Sequence, residues 1–178
     1  MKGKAQEKDQ SRAAKSGPTV RFTPPIILVA LMVYSAALLF ARVGPASAYP
    51  PKGVTGDADP AVTQATIKTT ICVPNYTARV RAVTEATKRE ILKRDDATEP
   101  VEIDHFLSLE LAGTNDPDKN LWAESYIGQY GARTKDVVET ALHRMVCRAD
   151  DPMPLKVAQK CITSDWIRCG KQIGVLSK

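Results

Sequence analysis

Apolar residues recur with helical spacing in two segments of the C-terminal half of the chain. Within residues 131–147, Val138, Leu142 and Met145 recur at i, i+4 and i+7, which predicts an amphipathic helix. A second helix is predicted to begin near Pro154, because proline suits the first helical turn. The apolar stripe of this second helix consists of Leu155, Ala158, Ile162, Trp166 and Ile173.

The segment before these helices has a different pattern. Residues 101–111 alternate enough to predict a strand that leads into a loop, and residues 112–118 are dense in turn formers. Residues 120–126 resume as a second strand, and residues 83–94 predict a short helix with a basic surface. Residues 62–73 fit a strand or a short helix equally well. We therefore expect an α+β fold.

The first 48 residues have the order of a secretory signal. A basic segment, residues 1–21, is followed by an apolar run over residues 26–41 and by small residues at Ala46 and Ala48. The run is shorter than the roughly 20 residues that span a bilayer, which favours cleavage after Ala48 over an uncleaved membrane anchor. Residues 49–61 are interpreted as a linker or an ordered loop, and residues 62–178 as one exported domain.

The positive charge of the chain belongs to this leader. The 178 residues carry a formal charge of +5, but residues 1–48 hold seven basic and two acidic residues, and the remainder holds eighteen of each. With 43% hydrophobic and 25% charged residues, the composition excludes a collagen, a coiled-coil rod and a polytopic membrane protein. The charge of the exported domain therefore gives no argument for nucleic-acid binding.

If the domain is exported, its four cysteines are expected to form disulfides, because disulfides persist in an oxidising compartment. Cys161 and Cys169 are eight residues apart in one predicted helix, about 12 Å if that helix is continuous, which is beyond disulfide reach. We therefore favour a bridge between Cys72 and Cys147, with Cys161–Cys169 forming only if the helix breaks. A zinc site is the less favoured alternative, because the sequence has no Cys-x-x-Cys pair.

Both histidines of the chain stand among acidic residues. Asp104 precedes His105 at the end of the first strand, and Glu139 and His143 are at i and i+4 on the helix. An i, i+4 pair can ligate one metal, and Asp104 would complete the site if the helix packs across the hairpin. Oxygen ligands suit one divalent ion such as Mg²⁺ or Mn²⁺, with Zn²⁺ as the alternative. Taken singly, each pair is typical of an ordinary structural hydrogen bond or surface ion pair.

Taken together, these residues match a known pattern. The stretch E-I-D-H-F-L-S-L-E-L-A-G-T-N-D-P-D-K-N-L-W, followed by a helix with E-x-x-x-H, resembles the HNH, or His-Me finger, endonucleases and especially small exported HNH-like proteins. In that group one cysteine within T-I-C-V-P, here Cys72, and another closing L-H-R-x-V-C, here Cys147, frame the motif. The resemblance covers roughly residues 62–166 and implies a ββα-metal core with flanking helices, stabilised by disulfides.

The resemblance also implies roles for individual residues. His105 would be the general base that activates water against a phosphodiester, because imidazole titrates near neutral pH. Asp104 and His143 would hold the metal, Glu139 would supply another ligand, and Asn120 would brace the loop that aims the imidazole.

Three further positions complete this comparison. Glu102 shares the face of Asp104 and would lie near the base. Ser108 stands where the family commonly has proline, and Ala112 stands where it has the first of two glycines, so we expect the shape of this loop to differ.

Two functions follow from the sequence. The first is a secreted, metal-dependent endonuclease that cleaves DNA or RNA with low sequence specificity. The second is a non-catalytic, disulfide-bonded binding module of the envelope that keeps the HNH scaffold, and an uncleaved leader would place either one at the membrane.

Trp122 and Trp166 are interpreted as core aromatics. A local basic patch would comprise Arg79, Arg81, Lys88, Arg89, Lys93, Arg94, Lys135, Arg144 and Arg148.

Overall fold

A computed structural model describes residues 47–178. The basic segment, the apolar run and Ala46 lie outside the described residues. The described residues contain four α-helices: α1 (Tyr76–Val80), α2 (Glu85–Arg94), α3 (Ala132–Cys147) and α4 (Leu155–Gln172). None of the helices in the described part has the length and apolar character needed to cross a membrane.

The two predicted strands pair as an antiparallel hairpin. Strand β1 (Val101–His105) runs against β2 (Leu121–Ser125), with Asp104 opposite Trp122 and His105 opposite Leu121. Successive side chains of a strand point to opposite faces, so Asp104 shares a face with Glu124, and His105 points to the other side. The mixture of helices with this small sheet confirms the α+β expectation.

The segment before the hairpin is less regular than its Thr, Val and Ile content suggests. Residues 62–73 form turns around a short 3₁₀ helix, Ile67–Thr69, and contain no strand. Helix α2 begins after Thr84, whose hydroxyl accepts a hydrogen bond from the backbone N–H of Thr87 at 3.1 Å. This bond satisfies one of the free donors at the helix start.

The hydrophobic core lies between α3 and α4 and beneath the hairpin. Val138 and Leu142 of α3 and Ile162 of α4 are fully buried. Trp122 is 2% exposed and Trp166 is fully buried, which confirms both as core aromatics. The helical spacing read from the sequence therefore identifies the faces that pack.

Residues 49–61 are an ordered loop rather than a free linker. Val54 is buried in the core, and the backbone N–H groups of Thr55 and Gly56 both donate to the carbonyl of Lys119 at 2.9 Å. Ala58 makes an isolated β-bridge with Gly113. The segment is therefore packed against the loop that connects the two strands.

Two disulfides join the domain, and no cysteine among the described residues is free. Cys72 is bonded to Cys147, the pairing that the sequence favoured, and the bond ties the segment before α1 to the end of α3. Disulfides of this kind indicate an oxidising, extracytoplasmic environment.

The second disulfide, Cys161–Cys169, forms because helix α4 is broken. Asp165 has extended backbone angles in the middle of α4, which brings the two cysteine Cα atoms to 5.3 Å. Its carboxylate accepts from the backbone N–H of Arg168 at 2.9 Å and from the Tyr49 hydroxyl at 2.7 Å. Asp165 thus caps the second half of the helix.

In the loop after β1, Ala112 has the left-handed backbone conformation that glycine adopts most readily. Ala112 is buried and has φ 65° and ψ 37°, a conformation that costs a non-glycine residue about 1–2 kcal/mol. Gly113 follows at a point of close approach, where an added Cβ would lie 1.7 Å from the carbonyl oxygen of Leu107. Ala112 therefore carries backbone strain that a glycine at this position would avoid.

Candidate active site

His105 ends strand β1 and is held by a side chain that the sequence did not single out. Its Nε2 lies 3.1 Å from Oδ1 of Asn115. The Asn115 amide is itself oriented, because its Nδ2 donates to the carbonyl of Val80 at 2.9 Å and its Oδ1 accepts from the N–H of Ala82 at 3.1 Å. The histidine must therefore donate through Nε2, which leaves Nδ1 of the neutral ring as the nitrogen that can accept a proton.

The electrostatic setting keeps His105 neutral at pH 7. The residue is 1% exposed, and burial lowers the pKa of its imidazole below the usual value. The hydrogen bond that His105 donates to Asn115 and the charge of Asp104 oppose this effect but do not cancel it. A neutral imidazole with one free nitrogen is the form that a general base requires.

Asp104 and Glu139 lie close together, as the sequence predicted, but the group that both contact is the ammonium of Lys135. The Lys135 Nζ donates to Oδ2 of Asp104 at 2.6 Å and to Oε1 of Glu139 at 2.5 Å. It also donates to the backbone carbonyl of His105 at 2.9 Å, and a carboxylate oxygen of Glu124 lies 3.3 Å away. The sequence placed Lys135 in a surface patch, whereas its side chain is fully buried.

The carboxyl groups of this cluster differ in protonation. Burial would raise the pKa of Asp104, but the Lys135 ammonium and its hydrogen bond hold that pKa below its usual value. Burial raises the pKa of Glu139 to about 8 and that of Glu124 to about 9, although Lys135 pulls both down. Burial would lower the pKa of Lys135, but the surrounding carboxylates raise it well above its usual value. Lys135 therefore balances the charge of Asp104, while the raised pKa values of Glu139 and Glu124 favour their protonated forms at pH 7.

A cleft of about 330 Å³ opens beside His105. Four acidic residues and one basic residue contribute to its wall, so an anionic ligand entering it would meet mostly negative charge. The lining residues are Thr77, Arg81, Asp104, His105, Ser108, Leu109, Glu110, Asp136, Glu139 and Thr140.

Asn120 braces the loop after β1, which is the structural role that the resemblance implies. Its Oδ1 accepts from the N–H of Leu107 at 2.8 Å, and its Nδ2 donates to the carbonyls of Leu107 and Thr114 at 2.9 and 2.7 Å. Glu102 instead accepts from the hydroxyl of Tyr126 at 3.0 Å, on the face opposite His105.

His143 lies one helical turn beyond Glu139 and is not brought to the cleft. Its Nε2 is 2.9 Å from the backbone carbonyl of Ile71. In the described part of the chain, the only group of three metal-ligand atoms within 4.8 Å of one another is His143 with Cys72 and Cys147. Because these two sulfurs are bonded to each other, they are not thiolate ligands.

The donor set of the cleft fits magnesium or manganese better than zinc. Magnesium is commonly held by one or two carboxylates together with water and substrate phosphate, which Asp104 and Glu139 can supply through the oxygens that Lys135 does not engage. Zinc prefers nitrogen and sulfur ligands, and His143, the nitrogen ligand expected at this site, lies elsewhere. A divalent ion held there would favour the ionised form of Glu139, whose pKa burial raises to about 8.

The expected basic patch is largely engaged in other contacts. Arg94 donates to the carbonyls of Pro117 and Leu121 and pairs with Asp95, and Arg148 pairs with Asp151. Arg81 is the basic residue that lines the cleft.

Comparisons of the chain with protein-family models, with curated proteins and with solved structures found no match. The function must therefore be argued from the site itself.

Proposed function

We propose that the protein is an exported endonuclease that hydrolyses phosphodiester bonds of DNA or RNA with the help of one divalent cation. The observation that carries the proposal is the neutral imidazole of His105, which lines an acidic cleft and keeps one nitrogen free. The ββα-metal arrangement implied by the sequence supports it, because β1, β2 and α3 each contribute to this cluster.

In this mechanism His105 accepts the proton of the attacking water at Nδ1, while Asn115 holds the opposite nitrogen and fixes the ring. Arg81 binds an oxygen of the phosphate. Asp104 and Glu139 would hold the cation, which neutralises phosphate charge that the acidic cleft would otherwise repel. Low sequence specificity is expected, because most contacts of such a site are made with the phosphate backbone.

The test is nicking of supercoiled plasmid by the purified, disulfide-bonded protein in Mg²⁺ or Mn²⁺, with single-stranded DNA and RNA as parallel substrates. We expect His105→Ala to lower the rate by about 10²–10⁴-fold, which is the usual contribution of a general base. Chelation by EDTA is expected to abolish cleavage.

The matched control is the second histidine. His143→Gln is expected to keep the cleavage rate within a few fold and to leave the Mn²⁺ requirement unchanged, because His143 bonds to Ile71 rather than to the cleft. If His105→Ala cleaves as fast as the unmodified protein, His105 is not the base. If His143→Gln loses its response to Mn²⁺, His143 is a metal ligand after all.

The alternative, a non-catalytic binding module, rests on the equal numbers of basic and acidic residues after position 48. Non-specific binding to nucleic acid generally draws on an excess of lysine and arginine. A folded protein that binds Mn²⁺ but cleaves none of the three substrates in any divalent cation would favour this alternative.

A further inference from the structure

The Lys135 side chain is the most unusual group in the described domain. Its ammonium is fully buried, in the first turns of α3, and its oxygen neighbours come from β1, β2 and α3. A buried cation is retained only where good geometry and hydrogen bonds offset the loss of hydration. The proposed mechanism gives Lys135 no contact with substrate, so its presence needs a separate explanation.

The hydrogen bonds of this ammonium are selective. An ammonium has three N–H donors, and Lys135 directs them to Asp104, Glu139 and the backbone carbonyl of His105. Glu124 lies at 3.3 Å, and neither of its carboxylate oxygens has a hydrogen-bond partner. Lys135 therefore orients two cleft-lining acids and the backbone of His105, whereas Glu124 lies beside the ammonium without accepting one of its three hydrogen bonds.

We propose that Lys135 is a positioning residue that sets the geometry of the cation site. Its ammonium fixes one oxygen of Asp104 and one of Glu139, so that their other oxygens face the cleft at a set separation. Because the same ammonium holds the carbonyl of His105, the base and the two acids share one anchor. This inference rests on the proposed function.

Loss of a residue that hydrogen-bonds to a metal ligand and orients it typically lowers metal affinity by about 10–100-fold. Without the ammonium, Asp104 and Glu139 would each lose the hydrogen bond that fixes one of their oxygens. The cation would then bind more weakly and at a variable distance from His105.

The experiment compares Lys135→Met with Glu124→Gln. Methionine is apolar and of similar length, so it fills the space of the lysine and keeps a metal ion out of the position of the ammonium. Glu124→Gln changes a buried neighbour of Lys135 without removing any of the three hydrogen bonds of its ammonium. For each variant, circular dichroism measures folding, loss of the free Mn²⁺ signal in electron paramagnetic resonance measures binding, and plasmid nicking is measured as a function of Mn²⁺ concentration.

We expect Lys135→Met to weaken Mn²⁺ binding about 10–100-fold and to raise the Mn²⁺ concentration for half-maximal nicking by the same factor. Glu124→Gln is expected to stay within about threefold of the unmodified protein. A residue that only stabilises the fold would change the folded fraction and leave the half-saturating concentration unchanged. A folded Lys135→Met protein with unchanged Mn²⁺ dependence therefore overturns the proposal.

Two measures keep the test decisive. If Lys135→Met does not fold, the same Mn²⁺ measurements are made on the double variant K135M/E124Q, in which the buried ammonium and a neighbouring buried carboxyl group are removed together. If the unmodified protein binds Mn²⁺ but cleaves nothing, the proposed function fails, while the binding comparison still tests Lys135. A protein that neither binds Mn²⁺ nor cleaves overturns both proposals.

Discussion

The two disulfides differ strongly in the length of chain that they close, which gives a quantitative prediction. Cys72–Cys147 spans 75 residues and Cys161–Cys169 spans 8, while their Cα separations are nearly equal at 5.4 and 5.3 Å. If the main effect of each bond is to restrict the unfolded chain, the entropy of loop closure at 25 °C gives about 4.5 kcal/mol for the long loop and about 2.5 kcal/mol for the short one.

The variants are the paired replacements C72S/C147S and C161S/C169S. The long-range bond lies beside the contact of His143 with Ile71, and the short-range bond spans the break at Asp165. Cys169 is buried, whereas the other three cysteines are partly buried. Equilibrium unfolding in urea, monitored by circular dichroism, gives the free energy of unfolding of each protein under non-reducing conditions.

We expect C72S/C147S to lose about 2 kcal/mol more than C161S/C169S, by the difference in loop entropy. The unmodified protein, treated with a reductant in one arm, supplies the fully reduced reference. If the short-loop variant loses as much stability as the long-loop variant, loop entropy does not account for these bonds. The stabilisation by Cys161–Cys169 would then arise in the folded state, at the break of α4.

Three further predictions concern the cluster and its loop. Burial raises the pKa of Glu124 to about 9, so its protonated form stabilises the fold at low pH, and this contribution is lost as the pH rises from 4.5, the pKa of the unfolded chain, towards 9. Between pH 7 and 9 the free energy of unfolding of the unmodified protein, measured with urea at each pH, should fall by about 1–3 kcal/mol relative to that of Glu124→Gln. Parallel curves of unfolding free energy against pH would contradict this. Asn120→Ala leaves buried backbone groups of Leu107 and Thr114 without partners and should cost about 2–5 kcal/mol by the same assay, so a loss below 1 kcal/mol would contradict the bracing role. Gly113→Ala places its Cβ against the Leu107 carbonyl and should lower stability by more than about 2 kcal/mol, and an unchanged thermal midpoint would show that the loop can move aside.

Local patterns were sufficient to predict the two strands and helices α2, α3 and α4, but not the short helix α1. The turn-rich segment between two alternating stretches predicts the hairpin, and the strands begin and end within a few residues of the expected positions. The apolar spacing of α3 predicts which face packs, because helical periodicity and burial are linked directly. For residues 62–73 the pattern leaves a strand and a short helix open, and the structure has turns around a short 3₁₀ helix in which Ile67 is buried.

The candidate site was predictable only in part. Lys135, Glu139 and His143 follow one another at intervals of four along α3, so all three lie near one stripe of the helix, about 6 Å apart along its axis. The sequence cannot say which two of the three face the hairpin. The structure places Lys135 and Glu139 against β1 and leaves His143 beside Ile71, because the hairpin contacts the N-terminal half of the helix.

By itself, the sequence determined the α+β class, the hairpin followed by a helix, the assignment of net charge to the leader, and the candidates His105, Asp104 and Asn120. These features depend on periodicity, turn chemistry and residue type, which are local properties of the chain. The tertiary structure decided that Asn115 orients His105, that Lys135 lies inside an acidic cluster, and that α4 breaks to allow Cys161–Cys169. Each of these depends on atoms far apart in sequence, whose approach is set by the packing of whole elements and by the cost of leaving buried polar groups unpaired.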